Sequence, residues 1–185
     1  RSLLLAGGRS SRMGRDKALI EVDGVACIAR VASTLAAAGC EPIRIAVAQP
    51  EDVERYGAVL PDELDVEWVL DAVTHSGPIE AVVEALSDPL IADEDSIQLC
   101  PVDVPWVTAD LFFELEKTLE SGDLLAIPAD PERTHPLLAR VRPSIASKIG
   151  EDRRPLHVQF TEMEHSTLLT DSTILRNFNT PDDLN

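Results

Sequence analysis

The sequence predicts an α/β fold: one three-layer domain around a mostly parallel central sheet. Three observations lead there. Short apolar runs alternate along the chain with segments of helical spacing, the pattern of repeated strand–helix–strand units. The chain has 185 residues, 44% of them hydrophobic, enough for a domain with its own core. No internal repeat or low-complexity linker divides it, so residues 1–185 are expected to form a single domain.

The elements follow in order. "SLLLA" (2–6) reads as a short buried strand. "VACIARVASTLAAAG" (25–39) has helical spacing and ends on Gly39, a helix C-cap. "RIAVA" (44–48) is a strand, "PEDVERYGAVL" (50–60) a helix and "VEWVLD" (66–71) a third strand. "GPIEAVVEALS" (77–87) is a helix with proline in its first turn. "SIQLCPVD" (96–103) is a central strand, followed by the helix "TADLFFELEKTLES" (108–121) with Thr108 as N-cap. "DLLAIPA", "PLLARV", "LHVQFTE" and "STLLT" read as further strands, with "RPSIASKIG" a short helix among them. "NTPDDL" (179–184) begins a last helix.

Ligands of open parallel sheets bind beyond the carboxyl ends of the strands. Three polar features fall there: Gly7-Gly8 with a cationic loop after the first strand, Asp71 after the third, and Asp103 after "LCPV". Adjacent glycines let the backbone turn tightly and approach a ligand, and successive N–H groups in such a turn form an anion-binding concavity. Arg9, Arg12, Arg15 and Lys17 add positive charge, and arginine can grip a phosphate with two parallel bonds. The natural guest is a polyphosphate. It is not held in a P-loop, because five residues separate Gly8 from Gly14 and Arg15 follows; nor does the chain carry G-x-G-x-x-G.

The chain as a whole is acidic: 16 basic and 33 acidic residues leave a formal charge of −17. That argues against a nucleic-acid partner and against an anionic membrane surface. Lys17, Lys117 and Lys148 are the only lysines, a composition suited to concentrated salt as well as to an ordinary acidic cytosolic enzyme. Cys27, Cys40 and Cys100 sit among apolar residues without metal-ligand spacing, and read as buried thiols in a reducing cytoplasm. Leu3–Ala6 is too short for a signal-peptide core, and no apolar run is long enough to cross a bilayer.

"LAGGRSSRMGRDKAL" resembles the LAGG-x-S-x-R-M-G-x-D-K signature of the small nucleotidyltransferases that build nucleotide-tailed cofactors, most closely the molybdenum cofactor guanylyltransferases. "SGPIEAVVEAL" (76–86), "PVDVPWV" (101–107), "HPLLARV" (135–141) and "NFNTPDDL" (177–184) extend the resemblance along nearly the whole chain. The resemblance implies a Rossmann-like, nucleotide-diphospho-sugar transferase-like fold and transfer of GMP from GTP to the phosphate of molybdenum-molybdopterin, with Mg²⁺ as cofactor. It implies that Leu5, Ala6, Gly7 and Gly8 bind base and ribose and begin the phosphate cradle. Arg12 and Lys17 would bind the triphosphate and stabilise charge during transfer. Asp71 would contact the nucleotide, and Asp103 would hold the metal. Asn177, Asn179 and His135 would face the pterin substrate. Apo-molybdoenzymes or their chaperones would be the protein partners.

One position departs from the pattern. The family places an Asn just after the second strand, where this chain has Ala48 and Gln49. CTP in place of GTP therefore stays open, as does a different phosphorylated acceptor of corrinoid or deazaflavin type. His135 precedes a proline, so a capping role and a substrate contact both remain open. Asp71 could cap a turn, and Asn177 and Asn179 could form one. Arg153-Arg154 reads equally as a second anion contact or a surface pair, and Trp68 and Trp106 as core. A nucleotide-binding regulator without turnover is the competing class; retention of both Lys17 and Asp103 speaks against it.

Overall fold

The computed structural model describes residues 1–6, 16–70, 78–149, 152 and 154–178. Gly7, Gly8, Arg12, Asp71 and Asn179, and the expected helix over 179–184, lie outside the described residues.

The chain opens with β1 (Ser2–Leu5), four buried residues. A 3-10 turn (Lys17–Leu19) leads into a hairpin of β2 (Glu21–Val22) and β3 (Val25–Ala26). Its turn is Asp23-Gly24, both at positive φ (53° and 78°), the geometry that Asp-Gly pairs favour in two-residue hairpins. The hairpin takes the first two residues of the expected helix, so α1 runs Cys27–Ala37. It ends as predicted on Gly39, at φ 70°. Cys40 N–H bonds to Leu35 O and Gly39 N–H to Ala36 O, the paired bonds of a Schellman cap.

Next come β4 (Ile43–Val47), α2 (Pro50–Gly57), β5 (Val66–Leu70), α3 (Pro78–Leu86) and the single turn α4 (Pro89–Ala92). Then follow β6 (Ile97–Pro101) and α5 (Ala109–Thr118), whose first turn is capped by Thr108 Oγ1 accepting from Leu111 N–H. The last third holds β7 (Leu125–Ala129), β8 (Arg140–Val141), α6 (Ala146–Ile149), α7 (Leu156–Thr161), β9 (His165–Leu169) and α8 (Ser172–Leu175).

Two strand expectations are corrected here. "LHVQFTE" is α7: its buried residues are Leu156, Gln159 and Phe160, the i, i+3, i+4 stripe of a helix rather than a period of two. "PLLARV" divides into a 3-10 turn, Pro136–Leu138, and the two-residue β8. Pro136 has no N–H for a ladder, and Leu138 N–H turns back to His135 O.

Seven strands form one sheet in the order β5-β4-β1-β6-β8-β7-β9. β1 pairs in parallel with β4 and β6, β4 with β5, and β7 with β9. β8 is antiparallel to both of its neighbours, β6 and β7. Two reversals cancel, so β7 runs in the same direction as β6 and their carboxyl ends share an edge. Alternation along β1 sets the layers: Leu4 joins the cluster with α1 and α5, while Leu3 and Leu5 join the cluster with α3, α6 and α7. From β1 the chain first builds outward through β4 and β5, then returns to β1's other side as β6. That reversal places a ligand crevice at the carboxyl ends of β1 and β6.

Candidate active site

The crevice is framed by strand ends that are hydrogen-bonded into the sheet. Ala6 N–H donates to Ala46 O at 3.1 Å, and Val102 N–H donates to Leu5 O at 3.1 Å. Leu5 and Ala6 are both buried, so the chain leaves β1 from a fixed point.

Asp16 and Lys17 re-enter at this edge. Asp16 is the N-cap of the 3-10 turn, its Oδ1 accepting from Ala18 N–H at 3.1 Å. Its Oδ2 accepts from the Tyr56 hydroxyl at 2.9 Å and from Arg55 Nη2 at 2.9 Å. Tyr56 is only 3% exposed, so α2 grips the residue before Lys17 from within the core. Burial, reinforced by the Asp16 charge, pushes the Tyr56 hydroxyl pKa up, so it stays a proton donor.

Lys17 Nζ lies 2.9 Å from Asp103 Oδ2 and donates to Phe178 O at 2.7 Å. The same ammonium stands 5.4 Å from the centroid of the Phe178 ring. Phe178 N–H donates to Asp103 O at 3.1 Å. Residues 176–178 thus form a strap across the site, each held by a different element. The Arg176 guanidinium lies 3.9 Å over the Trp106 ring, Asn177 Oδ1 accepts from Arg133, and Phe178 is fully buried. Trp106 is half-buried against the core and carries this stacking face as well.

The loop leaving β7 closes the far side. Asp130 Oδ1 accepts from the N–H groups of Glu132 and Arg133, and its Oδ2 lies 2.8 Å from His135 Nε2. The His135 bond, with the two backbone bonds behind it, holds the Asp130 pKa down to about 2. An ionised carboxylate only accepts, so His135 Nε2 carries the proton and donates.

The structure therefore brings together Lys17, Asp103 and Asn177, with Leu5 and Ala6 at the adjacent strand end. His135 is turned onto Asp130, inside its own loop. Arg154 is taken up by Asp152 (2.7 Å) and Glu162 (2.8 Å), an ion-paired surface element. Sequence reasoning missed Asp16, although an Asp two residues ahead of the backbone N–H it caps is a recognisable N-cap signal. It also missed Arg133 and the Phe178 carbonyl; main-chain atoms leave no residue-type signature.

A sheet that reverses its strand order beside an ammonium–carboxylate pair has the layout of a site for a phosphorylated ligand, and comparison with known proteins gives the class, a nucleotidyltransferase. The family model for the MobA-like NTP transferase domain matches residues 2–157, and the chain belongs to that family. It is 32% identical to the "Probable molybdenum cofactor guanylyltransferase" of Synechococcus elongatus, over 98% of this chain and 94% of that one. It is 31% identical to the molybdenum cofactor guanylyltransferase of Serratia proteamaculans, over 80% of this chain and 71% of that one. In fold it is similar to molybdopterin-guanine dinucleotide biosynthesis protein A of Archaeoglobus fulgidus (TM-score 0.76, 20% identity, 99% and 94% of the two chains). It is also similar in fold to a Methanothermobacter nucleotidyl transferase (TM-score 0.81, 15% identity, 98% and 92%).

Proposed function

We propose that this chain transfers GMP from GTP to the phosphate of molybdenum-molybdopterin, releasing pyrophosphate and forming the guanine dinucleotide cofactor. The observation that carries the reading is Lys17 and Asp103 held together at the carboxyl ends of β1 and β6, under the strap of residues 176–178. A phosphate oxygen of the acceptor bonds to the α-phosphorus as the bond to the β-phosphate oxygen breaks. The electron pair leaves with pyrophosphate. The nucleophile is already an oxyanion, so the site needs no general base, and positioning plus charge stabilisation suffice.

Lys17 supplies a cation on a fixed turn, beside the charge that develops on pyrophosphate. Asp103 fits Mg²⁺: its hard oxygens stand at a strand end, and nucleotide-bound Mg²⁺ is commonly held by one or two carboxylates plus substrate phosphates and water. When bound, the ion would offset triphosphate charge. No group of three or more His, Cys, Asp or Glu side chains suited to a metal occurs among the described residues.

The CTP-dependent reading rests on the departure from the family's Asn after the second strand. Gln49 stands exposed just past β4, at the N-cap position of α2, without a side-chain capping bond. The remaining setting we propose is the cytoplasm, consistent with three buried, unpaired cysteines. No helix among the described residues is long and apolar enough to cross a membrane.

The test is pyrophosphate release from GTP and from CTP with molybdenum-loaded molybdopterin, with and without Mg²⁺, in moderate and in high potassium chloride. Release with GTP and Mg²⁺ is expected. Release with CTP alone would replace the nucleotide, and silence with both would remove molybdopterin as the acceptor.

A further inference from the structure

Among the described residues most arginines are neutralised by carboxylates of the chain. Arg1, Arg44, Arg55, Arg140 and Arg154 each pair with a carboxylate. Arg142 donates to main-chain carbonyls and Arg176 stacks on Trp106, which leaves Arg133 as the exposed guanidinium on the β7 side of the site. Its side-chain bond goes to a neutral amide, Asn177 Oδ1 at 3.3 Å, and no carboxylate of the described residues pairs with it.

Its place is built rather than incidental. Arg133 N–H donates to Asp130 Oδ1 at 3.0 Å, and Asp130 N–H donates to Arg133 O at 3.0 Å. Asp130 is in turn fixed by His135, whose N–H donates to Pro128 O at 2.9 Å in β7. This loop leaves the carboxyl end of β7, on the edge that also carries Asp103. Asn177 directly precedes Phe178, which bonds to both Asp103 and Lys17. The guanidinium is therefore one residue removed, along the strap, from the reacting pair.

From this we infer that Arg133 is a substrate-binding residue that grips the phosphate of the acceptor. The inference rests on the reading above, in which an acceptor phosphate must approach a triphosphate. Two polyanions repel, so a cation is needed on the acceptor's side as well as the nucleotide's. One Nη2 donor on Asn177 leaves the Nε and Nη1 donors of the planar fork for a phosphate. Arg133 gives and takes no proton: an acceptor oxygen joins the α-phosphorus, and the electron pair leaves with pyrophosphate. His135 acts through Asp130 as a positioning residue for the loop.

The test is direct titration of molybdopterin, and of molybdopterin stripped of its phosphate, against the wild-type chain and against Arg133→Gln and Arg133→Lys. Arg133 is exposed, so unchanged thermal melting is expected in both variants. Arg133→Gln should bind molybdopterin about tenfold or more weakly, the usual size of a lost charge-assisted bond. It should bind the stripped compound like wild type, and Arg133→Lys should recover part of the loss. A merely structural role would weaken both ligands equally. Equal weakening, unchanged binding, or no binding by the wild-type chain would each overturn the inference. Pyrophosphate release is measured separately: a wild-type chain that binds molybdopterin through Arg133 but releases no pyrophosphate would sink the transferase reading alone.

Discussion

Lys17 Nζ lies 2.9 Å from Asp103 Oδ2 although 86 residues separate them in sequence. Both side chains are about one-fifth exposed, at 17% and 21%. The pair lies between an exposed ion pair, worth about 0–1 kcal/mol, and a buried one, whose breaking by loss of one partner costs about 3–5 kcal/mol. A preorganised cation beside developing transition-state charge is worth about 10²–10³ in turnover. The two magnitudes separate the roles. Lys17→Met keeps the apolar stem near Phe178 and removes the charge. It should lower stability by at most about 3 kcal/mol, because Asp103 loses its counter-charge, while kcat of the folded variant falls by about 10²–10³. Near-normal kcat in that variant would take Lys17 out of the chemistry.

Tyr56 tests how Lys17 is held. Its buried hydroxyl donates to Asp16, and Asp16 caps the turn that Lys17 begins. Tyr56→Phe keeps the ring and loses one bond to a charged acceptor, a cost of about 1.5–3 kcal/mol. Arg55 and Ala18 N–H still hold Asp16, so the turn should survive but loosen. Lower stability together with a severalfold drop in kcat is the expected result. Lost stability with kcat within about twofold would make Asp16 a local cap only.

Most of the fold was legible because strand and helix periods differ. β1, β4, β5, β6, β7 and β9 each fall on a run recognisable as apolar and bounded, and Gly39 and Thr108 cap their helices as expected. α7 was misread because Leu156, Val158 and Phe160 also satisfy a period of two; which period wins depends on tertiary burial of Gln159. The hairpin Glu21–Ala26 was missed because its strands are two residues each, too short for alternation to register. Lys17, Asp103 and Asn177 were legible from motif and strand-end position. Arg133, Tyr56 and the Phe178 carbonyl were not, because each matters through a contact 40–161 residues away, which no periodicity encodes.

The Asp130–His135 pair makes an acid-stability prediction. The folded carboxyl titrates at about 2, below its ordinary value of 3.8. A depressed carboxyl pKa contributes stability above the unfolded value and loses it as pH falls through the folded one. The gap in urea midpoint between wild type and Asp130→Asn should therefore be fully present at about pH 5 and close between about pH 4 and 2. The carboxyls of Asp88, Asp152, Glu162 and Asp171 are also held down, but they are common to both proteins and cancel. A gap independent of pH over that range would mean the pair does not set the Asp130 pKa.

Phe178 is the handle on the strap, because its two main-chain bonds cannot be mutated directly. Its ring is fully buried, so truncation to alanine leaves a cavity costing about 3–5 kcal/mol. Phe178→Leu keeps most of the volume and should cost less than about 1.5 kcal/mol. If the ring serves only the core, turnover should track stability, and the leucine variant should work normally at a temperature where it is fully folded. If the ring also fixes the carbonyl that receives Lys17 and the N–H that reaches Asp103, a folded leucine variant should still lose turnover. The second outcome is expected, because Lys17 stands on the ring face as well as on the carbonyl. The decisive comparison is kcat of wild type and Phe178→Leu at about 20 °C below the variant's own melting temperature, where both are more than 95% folded. Equal kcat there would confine Phe178 to packing.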